Sequence, residues 1–177
     1  MNLTKIDYVI KKMEDINILN HSERTAILCY NLARELYFEP KDLEIAYVAG
    51  LLHEIGKIDL PKTLKINNVE VKGEDIYPYF SASMVNCFED FDSILEILSQ
   101  GLENVDGSGL RGLSEDKISR IAKILRICDY YDTCRSSGLS HDETTKKIRE
   151  NSDIIFPKKL ITPFIKSLLK EGLHLEY

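Results

Sequence analysis

Histidine is scarce in this chain: four occur in 177 residues, at His21, His53, His141 and His174. One stands in the stretch LLHEIGKIDLP, residues 51–61, where an apolar run, IAYVAGLL, leads into His53, Glu54 and then Lys57. His21 opens an earlier segment, and Asp129 interrupts the apolar face AKILRICDYYD. Two imidazoles and two carboxylates suit a single divalent ion such as Mn²⁺, Fe²⁺, Zn²⁺ or Mg²⁺. Such an ion lowers the pKa of a bound water and makes hydroxide available for attack on phosphorus. Neighbouring helical residues point about 100° apart. His53 and Glu54 can therefore converge only on an ion lying off the end of their helix, where side chains splay. Lys57, one turn on, would reach a phosphate oxygen bound there.

Each residue alone has a plainer explanation. A single His beside an apolar run is commonly a satisfied core histidine, and an Asp between tyrosines commonly bonds to them. Glu54 could be a solvated helix-end charge, and Lys57 a complement to the helix dipole. His141, just past a cap, and His174, in the tail, are most simply solvated. The weight lies in the combination.

The elements that must position these groups read as helices almost throughout, with few strand signals. Residues 3–18 place Ile6, Val9, Ile10, Met13 and Ile16 on one face. Asn20 with Glu23 reads as a capping box. It opens a helix to about Tyr37, with Ala26, Ile27, Tyr30, Leu32, Ala33 and Leu36 facing inward. Pro40 opens a third helix, apolar on most faces and so expected to be central. Residues 58–73 are the least regular part. Helices follow at about 74–87 and 92–103, and ENVDGSGLRG, residues 103–112, is the clearest loop. Ser114 caps a helix to about Thr133. Ser140 with Glu143 is another capping box, and Pro157 introduces a last helix that stops at Gly172. With no repeat and no linker, the expectation is one all-α domain over residues 1–177, a compact multi-helix bundle.

Composition narrows the function. The net charge is −6 and the pI about 5.3, which argues against a DNA, RNA or anionic-membrane surface. A small anion needs only local positive charge or metal. The scattered Cys29, Cys87, Cys128 and Cys134 read as reduced core thiols. The N-terminal MNLTKIDYVIKK is amphipathic rather than a leader, and no apolar run approaches a membrane span. The chain is expected in the cytoplasm, with any signal arriving from a separate protein.

The order His21 … His53-Glu54 … Asp129 resembles the His … His-Asp … Asp signature of the HD superfamily of metal-dependent phosphohydrolases. It is similar above all to the HD-GYP proteins, which hydrolyse cyclic di-GMP and related cyclic dinucleotides. HSERT at 21–25, LLHEIGKIDLP at 51–61, ENVDGSGLRG at 103–112 and RICDYYDT at 126–133 each resemble an HD-GYP motif. The match covers roughly residues 18–170. The resemblance implies metal ligands at His21, His53, Glu54 and Asp129. It implies catalytic parts for Glu54 and Lys57, and substrate contacts from Lys57, Asp106 and Ser108. Asp106 and its glycines also read as a plain tight turn.

The departures are informative. Glu54 stands for the family's Asp. Tyr77, Gly101 and Leu102 stand where the family has further imidazole ligands, and Leu110-Arg111 where it has the Tyr-Pro that gives it its name. The resemblance therefore implies a reduced site with one ion, and argues against efficient cyclic di-GMP hydrolysis. Two expectations follow: a metal-dependent phosphohydrolase for a nucleotide or phosphodiester, or a catalytically inactive module that binds a cyclic dinucleotide or a protein. A helical interaction module without a small-molecule site is the plainest third.

Overall fold

A proline with fixed φ starts the helix that carries the His53 motif. Pro40 follows an extended Glu39 and is the first residue of α2, Pro40–Leu52, as expected. The preceding helix, α1, spans Leu19–Glu35. In this computed structural model, residues 11–14, 18–58, 60–66, 69–86, 92–170 and 172 are described. The chain continues through a hairpin, β1 Thr63–Ile66 and β2 Val69–Lys72, to α3 Gly73–Val85 and α4 Asp92–Ser99. It ends with α5 Arg120–Ser136, α6 His141–Glu150 and α7 Lys158–Lys170. Among the described residues the fold is all-α but for that small sheet.

The bundle centres on α5. Nine of its residues are buried, among them Ile121, Ile124, Leu125, Cys128 and Tyr131, together with two carboxylates, Asp129 and Asp132. The expectation that α2 is the central helix is corrected. Only Ala46, Ala49 and Gly50 are buried on α2, and Tyr47 is exposed. Its other apolar residues, such as Leu43 and Val48, are partly buried against the core edge. Small residues let α2 lie very close to α1: a Cβ on Gly50 would sit 2.6 Å from Ala26 Cα. The inward face of α1 is also rotated from the expected one. Ala26, Leu32 and Ala33 are buried as predicted, joined by Ser22, Thr25, Leu28 and Cys29, whereas Ile27 is 40% exposed.

Local signals were decided by the backbone around them. The Asn20–Glu23 capping box does not form, because Ile18 already has helical dihedrals and α1 starts at Leu19. A side-chain cap needs an extended residue at that point. Ser114 does not cap a long helix either. It precedes a 3₁₀ turn, Glu115–Lys117, and an extended Ile118 interrupts the run. The helix begins only after Ser119, whose amide donates to Gln100 Oε1 at 2.7 Å. Ser140 and Glu143 do form the predicted box. The irregular 58–73 stretch contains the antiparallel hairpin, with Leu64 opposite Val71 and Lys65 opposite Glu70. In TLKI-NN-VEVK, two short runs flank a two-residue polar step, a hairpin signal inside the stretch expected to be irregular.

The remaining expectations sort simply. α4 ends at Ser99 rather than near residue 103, and α7 follows Pro157, with Gly172 beyond its end at φ +68°. Cys29 and Cys128 are buried free thiols and Cys134 is free and half-buried. Cys87, His174, Ile6, Val9, Ile10 and Ile16 lie outside the described residues, while Met13 is buried. His141 is not merely solvated: its Nδ1 and the Tyr131 hydroxyl are 3.0 Å apart.

Candidate metal centre

Three helices deliver the ligands. His21 is on the first turn of α1, Asp129 is in the middle of α5, and His53 and Glu54 follow the last residue of α2. His53 keeps helical dihedrals, and Glu54 turns to φ −101°, ψ 3° before a 3₁₀ turn, Ile55–Lys57. This is the splayed helix end that two adjacent ligands require. The turn is locked from beneath: the Ser81 hydroxyl donates to the His53 carbonyl at 2.7 Å and accepts from the Gly56 amide at 2.8 Å.

His21, His53, Glu54 and Asp129 each present a ligand atom within 4.8 Å of the others. His21 Nε2 is 3.2 Å from His53 Nε2, 3.2 Å from Asp129 Oδ1 and 3.8 Å from Glu54 Oε1. His53 Nε2 lies 3.4 Å from Asp129 Oδ1. His53, Glu54 and Asp129 are buried and His21 is half-buried.

The outer nitrogens fix the tautomers. His53 Nδ1 donates to the Gly50 carbonyl at 2.7 Å. His21 Nδ1 donates to Asp132 Oδ2 at 2.6 Å. With both Nδ1 atoms protonated, each neutral imidazole turns an Nε2 lone pair inward. Glu54 Oε1 is paired with Lys57, but the two Nε2 lone pairs and Asp129 Oδ1 then face one another with no donor between them, an arrangement that needs a cation or a proton. This donor set fits a divalent metal. A proton is the alternative occupant. Burial lowers the His21 pKa, but hydrogen bonds to Asp129 and Asp132 and the charges of Asp129 and Glu54 outweigh it, bringing it to about 10. Burial likewise raises the Asp129 pKa, and its contacts with His21 and His53 overcome that and hold it well below the carboxylate range.

Asp132 had no assigned role in the sequence reading. It is fully buried, binds His21, and accepts from Arg24 Nε at 2.7 Å and Arg24 Nη2 at 2.9 Å. The signal was available as spacing: Asp132 is three residues after Asp129 and Arg24 three after His21, so each pair shares a helix face. A carboxylate behind a ligating imidazole orients the ring and raises its basicity. Asp132→Asn keeps the shape but loses the charge. Its expected result is a metal affinity about 10- to 100-fold weaker, read by competition with a chromogenic chelator.

Lys57 pairs with the Glu54 carboxylate and stands over the Tyr77 ring, 4.6 Å from its centroid. The side chains of Asp106 and Ser108 bond within the Gly-rich loop: the Ser108 amide donates to Asp106 Oδ1 at 2.9 Å, and Asn104 Nδ2 to Ser108 Oγ at 3.0 Å. The buried Glu103 carboxylate closes that loop by accepting from the Arg111 amide at 2.6 Å and the Leu113 amide at 3.0 Å. Tyr77 is buried, and burial first, then the charges of Asp129 and Glu54, raise its pKa well above the phenol range.

Comparison with known proteins agrees with the HD-GYP resemblance of these motifs. The chain is 30% identical over 132 residues to the cyclic di-GMP phosphodiesterase PA4108 of Pseudomonas aeruginosa, covering 71% of this chain and 32% of that protein. It is 28% identical over 118 residues to 3'3'-cGAMP-specific phosphodiesterase 3 of Vibrio cholerae, covering 63% of this chain and 26% of that one. The chain thus spans a third or less of the length of these curated relatives. Among solved structures, Bd1817, an HDG"Y"P protein from Bdellovibrio bacteriovorus, superposes with a TM-score of 0.71 at 21% identity, over 86% of this chain and 52% of that one. A cyclic GMP-AMP-specific phosphodiesterase of V. cholerae gives 0.69 at 14% identity, over 88% and 45%. Among the described residues no helix is long and apolar enough to cross a membrane. Residues 10–155 match the HD domain family, and the chain belongs to it.

Proposed function

We propose that this is a metal-dependent phosphohydrolase-type domain with a reduced, single-ion site, acting on a nucleotide or phosphodiester. One observation carries the reading: both imidazoles are pinned through Nδ1, so that their Nε2 atoms and two carboxylates converge. His21, His53, Glu54 and Asp129 would hold the ion, which is Mn²⁺, Fe²⁺, Zn²⁺ or Mg²⁺. When bound, it supplies Lewis acidity and a water acidic enough to yield hydroxide near neutral pH.

The chain's own groups do the rest. Asp132 and the Gly50 carbonyl keep the two rings oriented. Glu54 Oε1 faces both His21 Nε2 and Lys57, and Glu54 would take a proton from an attacking water. Lys57 offsets charge on the phosphoryl group, and Asp106 and Ser108 border the substrate from the Gly-rich loop. The relatives' names, cyclic di-GMP and 3'3'-cGAMP phosphodiesterases, make cyclic dinucleotides the first substrates to try. The cytoplasm is the compartment in which both such a substrate and reduced thiols would be met.

A second reading, an inactive module that binds a cyclic dinucleotide or a protein, is favoured by Tyr77, Gly101 and Leu102 standing where the HD-GYP resemblance places further imidazole ligands. The test incubates Mn²⁺-, Fe²⁺- or Zn²⁺-loaded protein with cyclic di-GMP, 3'3'-cGAMP and bis(p-nitrophenyl) phosphate. Metal-dependent hydrolysis of at least one is expected. Dinucleotide binding without turnover, or no metal uptake at all, selects the second reading.

A further inference from the structure

Arg126 is a cation beside this centre that the reaction has not used. It lies one turn before Asp129 on α5, so the two side chains leave the same helix face. Its Nη2 donates to Asn104 Oδ1 at 3.2 Å. Its Nε is a buried nitrogen with no hydrogen-bond partner, and no carboxylate among the described residues forms an ion pair with it. The guanidinium acts electrostatically on the Tyr77 phenol, as do Asp129 and Glu54. Lys57 stands over the same ring. One cation thus stands over Tyr77 and a second lies within electrostatic range of its hydroxyl, on the side of the candidate ligands.

A buried donor without an acceptor is costly, and native structures retain one where something else completes it. A planar guanidinium matches the oxygens of a phosphate better than any other side chain. Glu103, the carboxylate next to Asn104 in sequence, is engaged by the Arg111 and Leu113 amides and forms no ion pair with Arg126. We propose that Arg126 is a phosphate-recognition residue of the metal centre, its guanidinium taking an oxygen of a phosphate held at the ion. This rests on the phosphohydrolase reading. It also connects the Gly-rich loop to the site, because Asn104 holds Arg126 through its carbonyl oxygen and Ser108 through its amide.

The test titrates inorganic phosphate by calorimetry into Mn²⁺-loaded wild type, Arg126→Met, Arg126→Lys and Asn104→Ala, with metal content measured on each. Arg126→Met should weaken phosphate by roughly tenfold or more, the worth of a charge-assisted hydrogen bond, with its ion retained. Arg126→Lys should recover part of the loss, and Asn104→Ala, which removes one positioning bond but keeps the guanidinium, should lose clearly less than Arg126→Met. The proposal is overturned if Arg126→Met binds phosphate as wild type does, or if the ion leaves with the phosphate. It is equally overturned if Asn104→Ala reproduces the Met variant, which would make Arg126 a loop latch. A Mn²⁺-loaded wild type that neither binds phosphate nor hydrolyses any phosphoester overturns the phosphohydrolase reading as well. Unchanged affinity in Arg126→Met alone leaves that reading standing.

Discussion

Freshly purified wild-type protein is expected to carry about one divalent ion per chain, and His53→Ala essentially none, by elemental mass spectrometry. His53 is the ligand with least freedom. It is 4% exposed, its Nδ1 is committed to the Gly50 carbonyl, and its own carbonyl is held by Ser81. Alanine removes the imidazole and leaves the main-chain bonds in place. Losing a directly bound ligand should exceed the 10- to 100-fold affinity loss typical of an outer-shell change. A melting experiment separates ligand loss from misfolding. At an ion concentration about 100-fold above its Kd, wild type gains about 2.7 kcal/mol, or roughly 5–11 °C in Tm for a chain of this length. His53→Ala should melt cooperatively and gain nothing. Two or more ions per wild-type chain would show that other side chains replace the absent imidazoles. No ion after reconstitution would select the inactive binding module.

The second large effect is expected at Gly56, which touches no candidate ligand. A Cβ there would be driven into the Ser81 amide nitrogen and the Tyr77 carbonyl, both main-chain atoms of α3. Neither can swing aside as a side chain can. The Ile55–Lys57 turn would have to lift off α3, breaking the Gly56 amide bond to Ser81 Oγ. Gly56→Ala should therefore cost about 3 kcal/mol, the upper end of overpacking, and lower Tm by roughly 6–12 °C. Because Ser81 also holds the His53 carbonyl, metal affinity should fall with stability. A Gly56→Ala protein that melts and binds metal like wild type would show that the turn does not depend on this contact.

The sequence by itself determined the fold class and which four residues are candidate ligands. Helical periodicity, Pro40 at the start of α2 and the Ser140 capping box are local signals whose physics is complete within a few residues. The four candidate ligands, which the fold brings together, were legible because a scarce residue type, paired with a carboxylate at the end of an apolar run, has little use in a core. The small hairpin was legible too, in TLKI-NN-VEVK, but no periodic run frames so short an element.

Tertiary structure decided everything that depends on which faces meet. The Asn20 and Ser114 caps failed because a cap depends on the dihedrals of the preceding chain, not only on the side chain offered. The centre of the bundle moved from α2 to α5, since the small residues of α2 serve close contact with α1 rather than burial all round. Asp132 acquired its role only when α1 and α5 came together and set it behind His21. Arg126 could not be told from an ordinary helix-surface arginine until folding buried its Nε beside the metal ligands without an acceptor. Ligand identity is written in residue types, but orientation and charge balance arise between residues roughly a hundred positions apart, and no local pattern encodes them.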